Sequence, residues 1–193
     1  MDTYETLRMT VFTALMAALI AAGAFIIIPV GPVPIVLQNL FVMVAGLILA
    51  PRWAAGAVAV YLLAGSLGLP VFAGGTGGLG RLLGPTGGYL VAYLPAVLLI
   101  SWTHSRLGRK PWMEITALVL AAGIVYALGV SWLKTVTAMN WAAAMTAGML
   151  PFLPGDVLKI AAALPIARTL RPIVEGQGKF EIRNSKCQKH IGI

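Results

Sequence analysis

Long apolar segments alternate with short polar, proline-rich or glycine-rich segments along most of the chain. An apolar stretch of about 20 residues is the length that a helix needs to cross the hydrocarbon core of a bilayer. Six segments approach or reach that length, and each predicts a membrane-spanning helix: about 10–28, 35–49, 54–67, 89–103, 112–136 and 152–171. The apolar stretch 140–149 is too short to span, so it predicts an interfacial or re-entrant helix.

The composition supports this pattern. Hydrophobic residues make up 59% of the 193 residues, charged residues only 10%, and the mean hydropathy is +0.90. A soluble domain carries about 25% charged residues. We therefore expect an all-α integral membrane protein in which residues 1–171 form one six-helix domain. The polar segment 172–193 is expected to be a partly disordered C-terminal tail.

The positions of the 14 lysines and arginines predict the orientation of the chain in the membrane. Eleven of them fall on one side of a six-span arrangement, and only Arg81, Lys134 and Lys159 lie on or toward the other. Cations concentrate on the cytoplasmic side of membrane proteins. We therefore expect a multi-pass protein of the plasma membrane with both termini in the cytoplasm and long loops facing outward. Because the cations flank apolar segments, the net charge of +8 does not indicate nucleic-acid binding.

The segment 74–89 breaks the apolar pattern, because eight of the chain's 22 glycines lie within it. Each glycine in a regular helix or strand costs about 0.5–1 kcal/mol relative to alanine, so we expect irregular backbone here. At membrane depth such backbone is tolerated where it lines a cavity or packs inside protein. We therefore interpret the segment as one wall of a small-molecule site. Its single charged residue, Arg81, could contact the ligand or extend to the membrane interface.

Two charged residues stand at the outer end of the last predicted span. Asp156 and Lys159 are three residues apart, so they lie on one face of a helix. Charged residues inside a membrane are costly, which makes them candidates for function. The two could instead pair only with each other, with Asp156 stabilising the start of the helix. Both interpretations remain open from the sequence.

Neutral polar side chains could complete such a site. Gln38, Asn39, Thr86 and Tyr89 could each donate or accept a hydrogen bond, although each could also bond a neighbouring helix. One acid, one or two cations and much apolar surface suit a small amphipathic molecule with a carboxylate tail and a polar head.

Several other chemistries find no support in the sequence. The glycines at 75, 77 and 80 fit a dinucleotide-binding string, but no βαβ pattern surrounds them. The same stretch lacks the Lys and Ser/Thr of a phosphate-binding loop, so we expect no bound nucleotide and no ATPase activity. His104, Cys187 and His190 show no metal-ligand spacing, so we expect no metal and no other cofactor. An enzyme using Asp156 as base with Lys159 would lack a further acid–base partner.

Four motifs together resemble a known family. They are Val33-Pro34-Ile35-Val36-Leu37-Gln38, Gly68-Leu69-Pro70-Val71-Phe72-Ala73-Gly74-Gly75, Gly84-Pro85-Thr86-Gly87-Gly88-Tyr89 and Pro154-Gly155-Asp156-Val157-Leu158-Lys159. In this order they resemble the BioY family, the biotin-specific substrate-binding S components of energy-coupling factor (ECF) transporters. The resemblance covers about residues 14–171. It implies a six-helix S-component fold that binds biotin near the outer surface, and it implies a transport subunit and not an enzyme.

The resemblance also implies partners and site residues. S components work with a transmembrane coupling protein and two cytoplasmic ATPase subunits, and Ala14 and Ala18 match the alanine motif on helix 1 that packs on the coupling protein. The residues implied to bind biotin are Gln38, Gly74, Gly75, Arg81, Thr86, Gly87, Gly88, Tyr89, Asp156 and Lys159. An S component for another vitamin is the alternative.

Overall fold

A computed structural model describes residues 3–28, 33, 35–108 and 110–176, and the chain in these ranges is mostly helical. The helices are α1 (Thr3–Phe25), α2 (Gln38–Ile48), α3 (Pro51–Ser66), α4 (Leu79–Leu83), α5 (Gly87–Leu107), α6 (Pro111–Thr137), α7 (Trp141–Gly148) and α8 (Leu153–Glu175). A single 3₁₀ turn, Leu150–Phe152, joins α7 to α8. The short helix predicted at 140–149 is thus present as α7.

Within the described ranges, four helical segments are long and apolar enough to cross a membrane. They are α1, α5, α6 and the stretch Trp141–Glu175, which contains α7 and α8. The predicted spans 35–49 and 54–67 correspond to shorter helices of 11 and 16 residues, α2 and α3. Four of the six predicted spans thus correspond to long helical segments, and the other two correspond to shorter helices.

The segments that flank the first predicted loop pair as the two strands of a β-hairpin, which the sequence interpretation missed. Ile27–Ile28 (β1) and Ile35–Val36 (β2) pair antiparallel, whereas both dipeptides were predicted to lie in spanning helices. Ile28 precedes Pro29, and a residue before proline is driven away from helical and toward extended backbone. The Leu37 amide also donates to the carbonyl of Ile26 over 3.1 Å, which continues the pairing to the start of α2.

The glycine-rich segment is only partly irregular. A five-residue helix, α4, lies in its middle, so the expectation of irregular backbone throughout 74–89 is wrong. Leucines and one arginine, which are good helix formers, make up four of its five residues. Before α4 the backbone does need glycine, because Gly74, Gly75 and Gly78 have φ angles of 75°, 69° and 92°.

An apolar core joins the two ends of the bundle. Among its most deeply buried side chains are Met43 on α2, Ile100 on α5 and Leu118 on α6, each at most 2% exposed. The start of α1, the α2–α3 turn and the ends of α5 and α8 meet at one end of the bundle. The described cations that were predicted to face the cytoplasm lie on these segments and at the start of α6. The last helix continues through Pro172 to Glu175, past its predicted end at 171. The predicted tail residues 177–193 lie outside the described residues.

Candidate small-molecule site

A cavity of about 700 Å³, counting the part open to solvent, lies at the end of the bundle opposite the cations that were predicted to face the cytoplasm. The wall is mostly apolar and aromatic, with a few polar side chains. It is formed by Val33, Val36, Gln38, Asn39, Phe72, Ala73, Thr76, Arg81, Thr86, Tyr89, Leu90, Tyr93, Val125, Tyr126, Phe152, Asp156 and Lys159.

The polar centre of the cavity is a buried ion pair with a third partner. Lys159 Nζ donates to Asp156 Oδ1 over 3.0 Å, and both side chains are nine-tenths buried. The Tyr126 hydroxyl, from α6, donates to the other carboxylate oxygen, Asp156 Oδ2. The carboxylate thus accepts from two donors on two helices, which offsets part of the cost of burying charge. The Lys159 ammonium has three donors, so it can also donate to a ligand.

The start of α8 explains how this pair reaches the cavity. The 3₁₀ turn ends at Phe152, and Pro154 occupies the first turn of the helix, where proline is well tolerated. Asp156 follows in the same turn, where the helix dipole favours a negative charge. Lys159 lies three residues later on the same face, so both charges enter the cavity from one helix.

Tyr89 forms part of the wall with its ring, and its hydroxyl is used elsewhere. The hydroxyl donates to the carbonyl of Gly148 at the end of α7 over 2.8 Å. Glycines allow this close approach, because a Cβ atom at Gly129 or Gly148 would collide with the Tyr89 side chain. The residue therefore joins α5 to α7 and supplies apolar surface to the cavity.

Gln38 and Asn39 line the cavity from the first turn of α2. Gln38 is 1% exposed, and its Nε2 lies near the Tyr61 hydroxyl without making a well-formed hydrogen bond to any described residue. A buried amide without a partner is unfavourable, and a polar ligand in the cavity would relieve this. Arg81, on α4, also lines the cavity but is exposed, as expected for a side chain at its mouth.

Of the ten residues predicted to bind the ligand, the cavity wall contains six: Gln38, Arg81, Thr86, Tyr89, Asp156 and Lys159. The four glycines are not part of this wall. Gly74 and Gly75 shape the loop beside α1 and the hairpin, with the Gly74 amide 3.3 Å from the carbonyl of Ala24. A Cβ on Gly87 would meet the Leu82 backbone, and one on Gly88 would meet Trp132, so these glycines permit close packing around α5.

Several wall residues were not singled out from the sequence. The most important is Tyr126, which bonds the buried carboxylate from the middle of an apolar helix. Three others are aromatic: Tyr93 on α5, and Phe72 and Phe152 in the connections before α4 and α8. The only available signal was a tyrosine within a membrane-length apolar segment, and that position alone does not show which helix it faces. Among the described residues, no group of three His, Cys, Asp or Glu side chains could hold a metal ion.

A helical membrane bundle with a partly enclosed, mostly apolar cavity and an ion pair at its centre defines a class: a membrane protein that binds a small polar or amphipathic molecule. Comparison with known proteins specifies the class further. A model of the BioY family matches residues 1–176. The chain therefore belongs to the BioY family and is a multi-pass membrane protein.

Relatives with established names support this assignment over most of their length. The chain is 39% identical to a probable biotin transporter BioY of Pyrococcus horikoshii, over 82% of this chain and 93% of the relative. It is 36% identical to the biotin transporter BioY of Thermotoga maritima, over 86% and 98%. A solved S component for biotin from an ECF-type ABC transporter has the same fold, with a TM-score of 0.84 and 32% identity over 94% and 98% of the two chains.

Proposed function

We propose that this protein is the biotin-binding S component of an ECF-type uptake transporter. It would capture biotin from outside the cell and deliver it across the membrane with an energising module. The observation that carries this proposal is the buried group of Asp156, Lys159 and Tyr126 inside an otherwise apolar cavity. Binding of a transported ligand, and not catalysis, explains why the charges of Asp156 and Lys159 are kept in this cavity.

The chemistry of the cavity suits both ends of biotin. The ureido head of biotin offers two N–H donors and one carbonyl acceptor and carries no charge. The Asp156 carboxylate can accept from such donors, and Lys159 can donate to the carbonyl, while their ion pair keeps the buried centre neutral. The exposed Arg81 guanidinium at the mouth is then the suitable partner for the valerate carboxylate.

We further infer the orientation of the protein from its charged end. Four exposed cations mark this end: Arg52, Arg106, Lys110 and Arg168. They lie near the start of α3, the end of α5, the start of α6 and the last turns of α8. If these ends face the cytoplasm, α1, α2, α3, α5, α6 and α8 make six crossings, and the cavity opens outward. Both termini are then cytoplasmic. At 11 residues α2 is about 16 Å long, so its crossing is shorter than those of the other helices.

The partner surface that we propose lies on α1. Ala14 and Ala18 are exposed on this helix, one turn apart, and so face away from the bundle. Small residues at this spacing allow another helix to approach closely. We propose that the transmembrane coupling protein packs here and that two ATPase subunits act through it. Leucine at both positions should prevent co-purification with the module while biotin binding persists; Ala127→Leu, an exposed alanine on α6, is the control.

Binding of labelled biotin to the purified protein in detergent tests the proposed function. We expect one saturable site, competition by unlabelled biotin and no competition by other vitamins. Effective competition by another vitamin, with weak binding of biotin, would favour the alternative of an S component for that vitamin. Recovery of chemically unchanged biotin after binding would count against an enzyme.

A further inference from the structure

A second buried polar cluster lies at the charged end of the bundle, far from the cavity along the same helices. We call Ser101, His104, Glu114 and Arg171 the basic-end clamp. The Arg171 guanidinium contacts Glu114 Oε1 over 2.5 Å, and His104 Nδ1 lies 3.4 Å from the same oxygen. Ser101, Glu114 and Arg171 are each at most 7% exposed. Charges this buried in a membrane protein require a structural or functional reason.

The clamp supplies donors to the end of α2. Arg171 Nε donates to the carbonyl of Leu47 over 3.1 Å, and Ser101 Oγ donates to the carbonyl of Leu49 over 2.5 Å. The last carbonyls of a helix have no partner within it, and the hydrocarbon core contains no water to satisfy them. Because α2 is short and Leu49 is only 1% exposed, these carbonyls end inside protein. Side chains from α5 and α8 therefore complete the helix.

The helices joined by the clamp are those that carry most of the cavity wall at their opposite ends. The clamp connects α2, α5, α6 and α8 through Leu47, Ser101, Glu114 and Arg171. At the other end the same four helices supply Gln38 and Asn39, Tyr89 and Tyr93, Tyr126, and Asp156 and Lys159. Neither α1 nor α3 contributes a described residue to the wall. The clamp thus holds, at one end, the four helices that supply most of the polar cavity wall at the other.

We propose that Arg171 and Glu114 are positioning residues for the ligand site. They fix the relative placement of α2 and α8 at the basic end, and this holds Gln38 and Asn39 at a constant distance from the Asp156–Lys159 pair. A site is precise only when its supporting residues are locked by packing and further hydrogen bonds. This inference rests on the proposed function for its ligand, but its structural part can be tested without any ligand.

The test compares Arg171→Met with Arg168→Met, a matched control. Arg168 lies three residues earlier on the same helix and is exposed, so both variants lose one cation at the same end. In hydrogen exchange without ligand, Arg171→Met should accelerate exchange at the outer turns of α2 and α8, around 38–42 and 153–160. The outer turns of α1 and α3 should stay as in the parent. Arg168→Met should change none of these segments.

Binding of biotin provides the second measurement. We expect Arg171→Met to weaken it roughly 2- to 30-fold, the range for residues that act on a site from a distance. Arg171→Lys keeps a charge for Glu114 but lacks the fork that also reaches Leu47. Its affinity for biotin should therefore lie between those of Arg171→Met and the parent. If Arg171→Met does not fold, Arg171→Lys and Glu114→Gln serve for both measurements.

The outcomes separate this inference from the proposed function. Two hydrogen-exchange results for Arg171→Met would overturn the positioning role: faster exchange confined to the basic end, or exchange that is raised equally in α1 and α3. So would unchanged biotin affinity in a variant that folds. If the parent itself fails to bind biotin, the proposed function is wrong, and the exchange pattern alone then decides whether the clamp positions the cavity wall.

Discussion

Removing the ammonium of Lys159 should separate the stability of the protein from its ability to bind ligand. In Lys159→Met the Asp156 carboxylate stays buried with only the Tyr126 hydroxyl as donor. Breaking a buried ion pair by removing one partner costs about 3–5 kcal/mol of stability, because the remaining charge is uncompensated. We therefore expect Lys159→Met to unfold at a clearly lower temperature than the parent.

The loss of binding has a different origin and magnitude. If Lys159 donates to the ligand, its removal forfeits a hydrogen bond from a charged group, worth about 1.5–3 kcal/mol. That corresponds to a Kd about 10- to 150-fold higher. Titration calorimetry or labelled biotin, measured below the unfolding temperature of the variant, gives the Kd directly. Lys134→Met is the matched control, because Lys134 lies 5.1 Å from the Trp141 ring and is not part of the cavity wall.

The double variant Asp156→Asn/Lys159→Met decides between the two interpretations of the pair. Replacing both charges leaves none uncompensated, so much of the lost stability should return. Binding should remain at least as weak as in Lys159→Met, because the carboxylate acceptor is also gone. If the double variant binds biotin like the parent, the pair only satisfies itself at the start of α8, and the proposed site is wrong.

Three further substitutions test separate parts of the cavity. Tyr126→Phe removes one hydrogen bond to the buried carboxylate and should raise the Kd for biotin about tenfold; an unchanged Kd in calorimetry would contradict a role in the site. Arg81→Gln should weaken biotin binding only about 1.4- to 5-fold, since an exposed ion pair contributes about 0.2–1 kcal/mol. The same substitution should not weaken the binding of the neutral amide of biotin. Equal losses of affinity for biotin and for its amide would refute the assignment of Arg81 as the partner of the carboxylate. Gly148→Ala should displace the Tyr89 hydroxyl and weaken binding, whereas Gly123→Ala, whose Cβ meets nothing within 4 Å, should bind like the parent.

The outline of the fold could be predicted because the length of an apolar segment can be read directly from consecutive residues. The predicted segments 89–103 and 112–136 lie within α5 and α6, and the short stretch 140–149 contains α7. The β-hairpin was missed because hydropathy does not distinguish an extended isoleucine pair from the end of a helix. Only the proline after Ile28 carried that information.

The charged part of the cavity was predictable for a related reason. Asp156 and Lys159 are close in sequence, so their common face follows from helix geometry. Tyr126 is 30 residues from its partner, and Glu114 is 57 residues from Arg171, so neither contact leaves a local pattern. Arg171 in particular was interpreted only as a topology signal, since a cation near the end of a span usually is one. Its burial and its hydrogen bond to the Leu47 carbonyl become apparent only when α2 and α8 are packed together.

The core between the two polar groups bears on how a ligand could leave the cavity. Met43, Ile100 and Leu118 lie between the cavity and the basic end on three of the four helices that the clamp joins, and they are almost completely buried. Close-packed interiors of this kind leave no passage for a molecule the size of biotin. Delivery therefore requires helices, or the whole subunit, to move. The glycine-rich segment lacks the Lys and Ser/Thr of a phosphate-binding loop, so under the proposed function we expect the energy for that movement to come from a partner or an ion gradient.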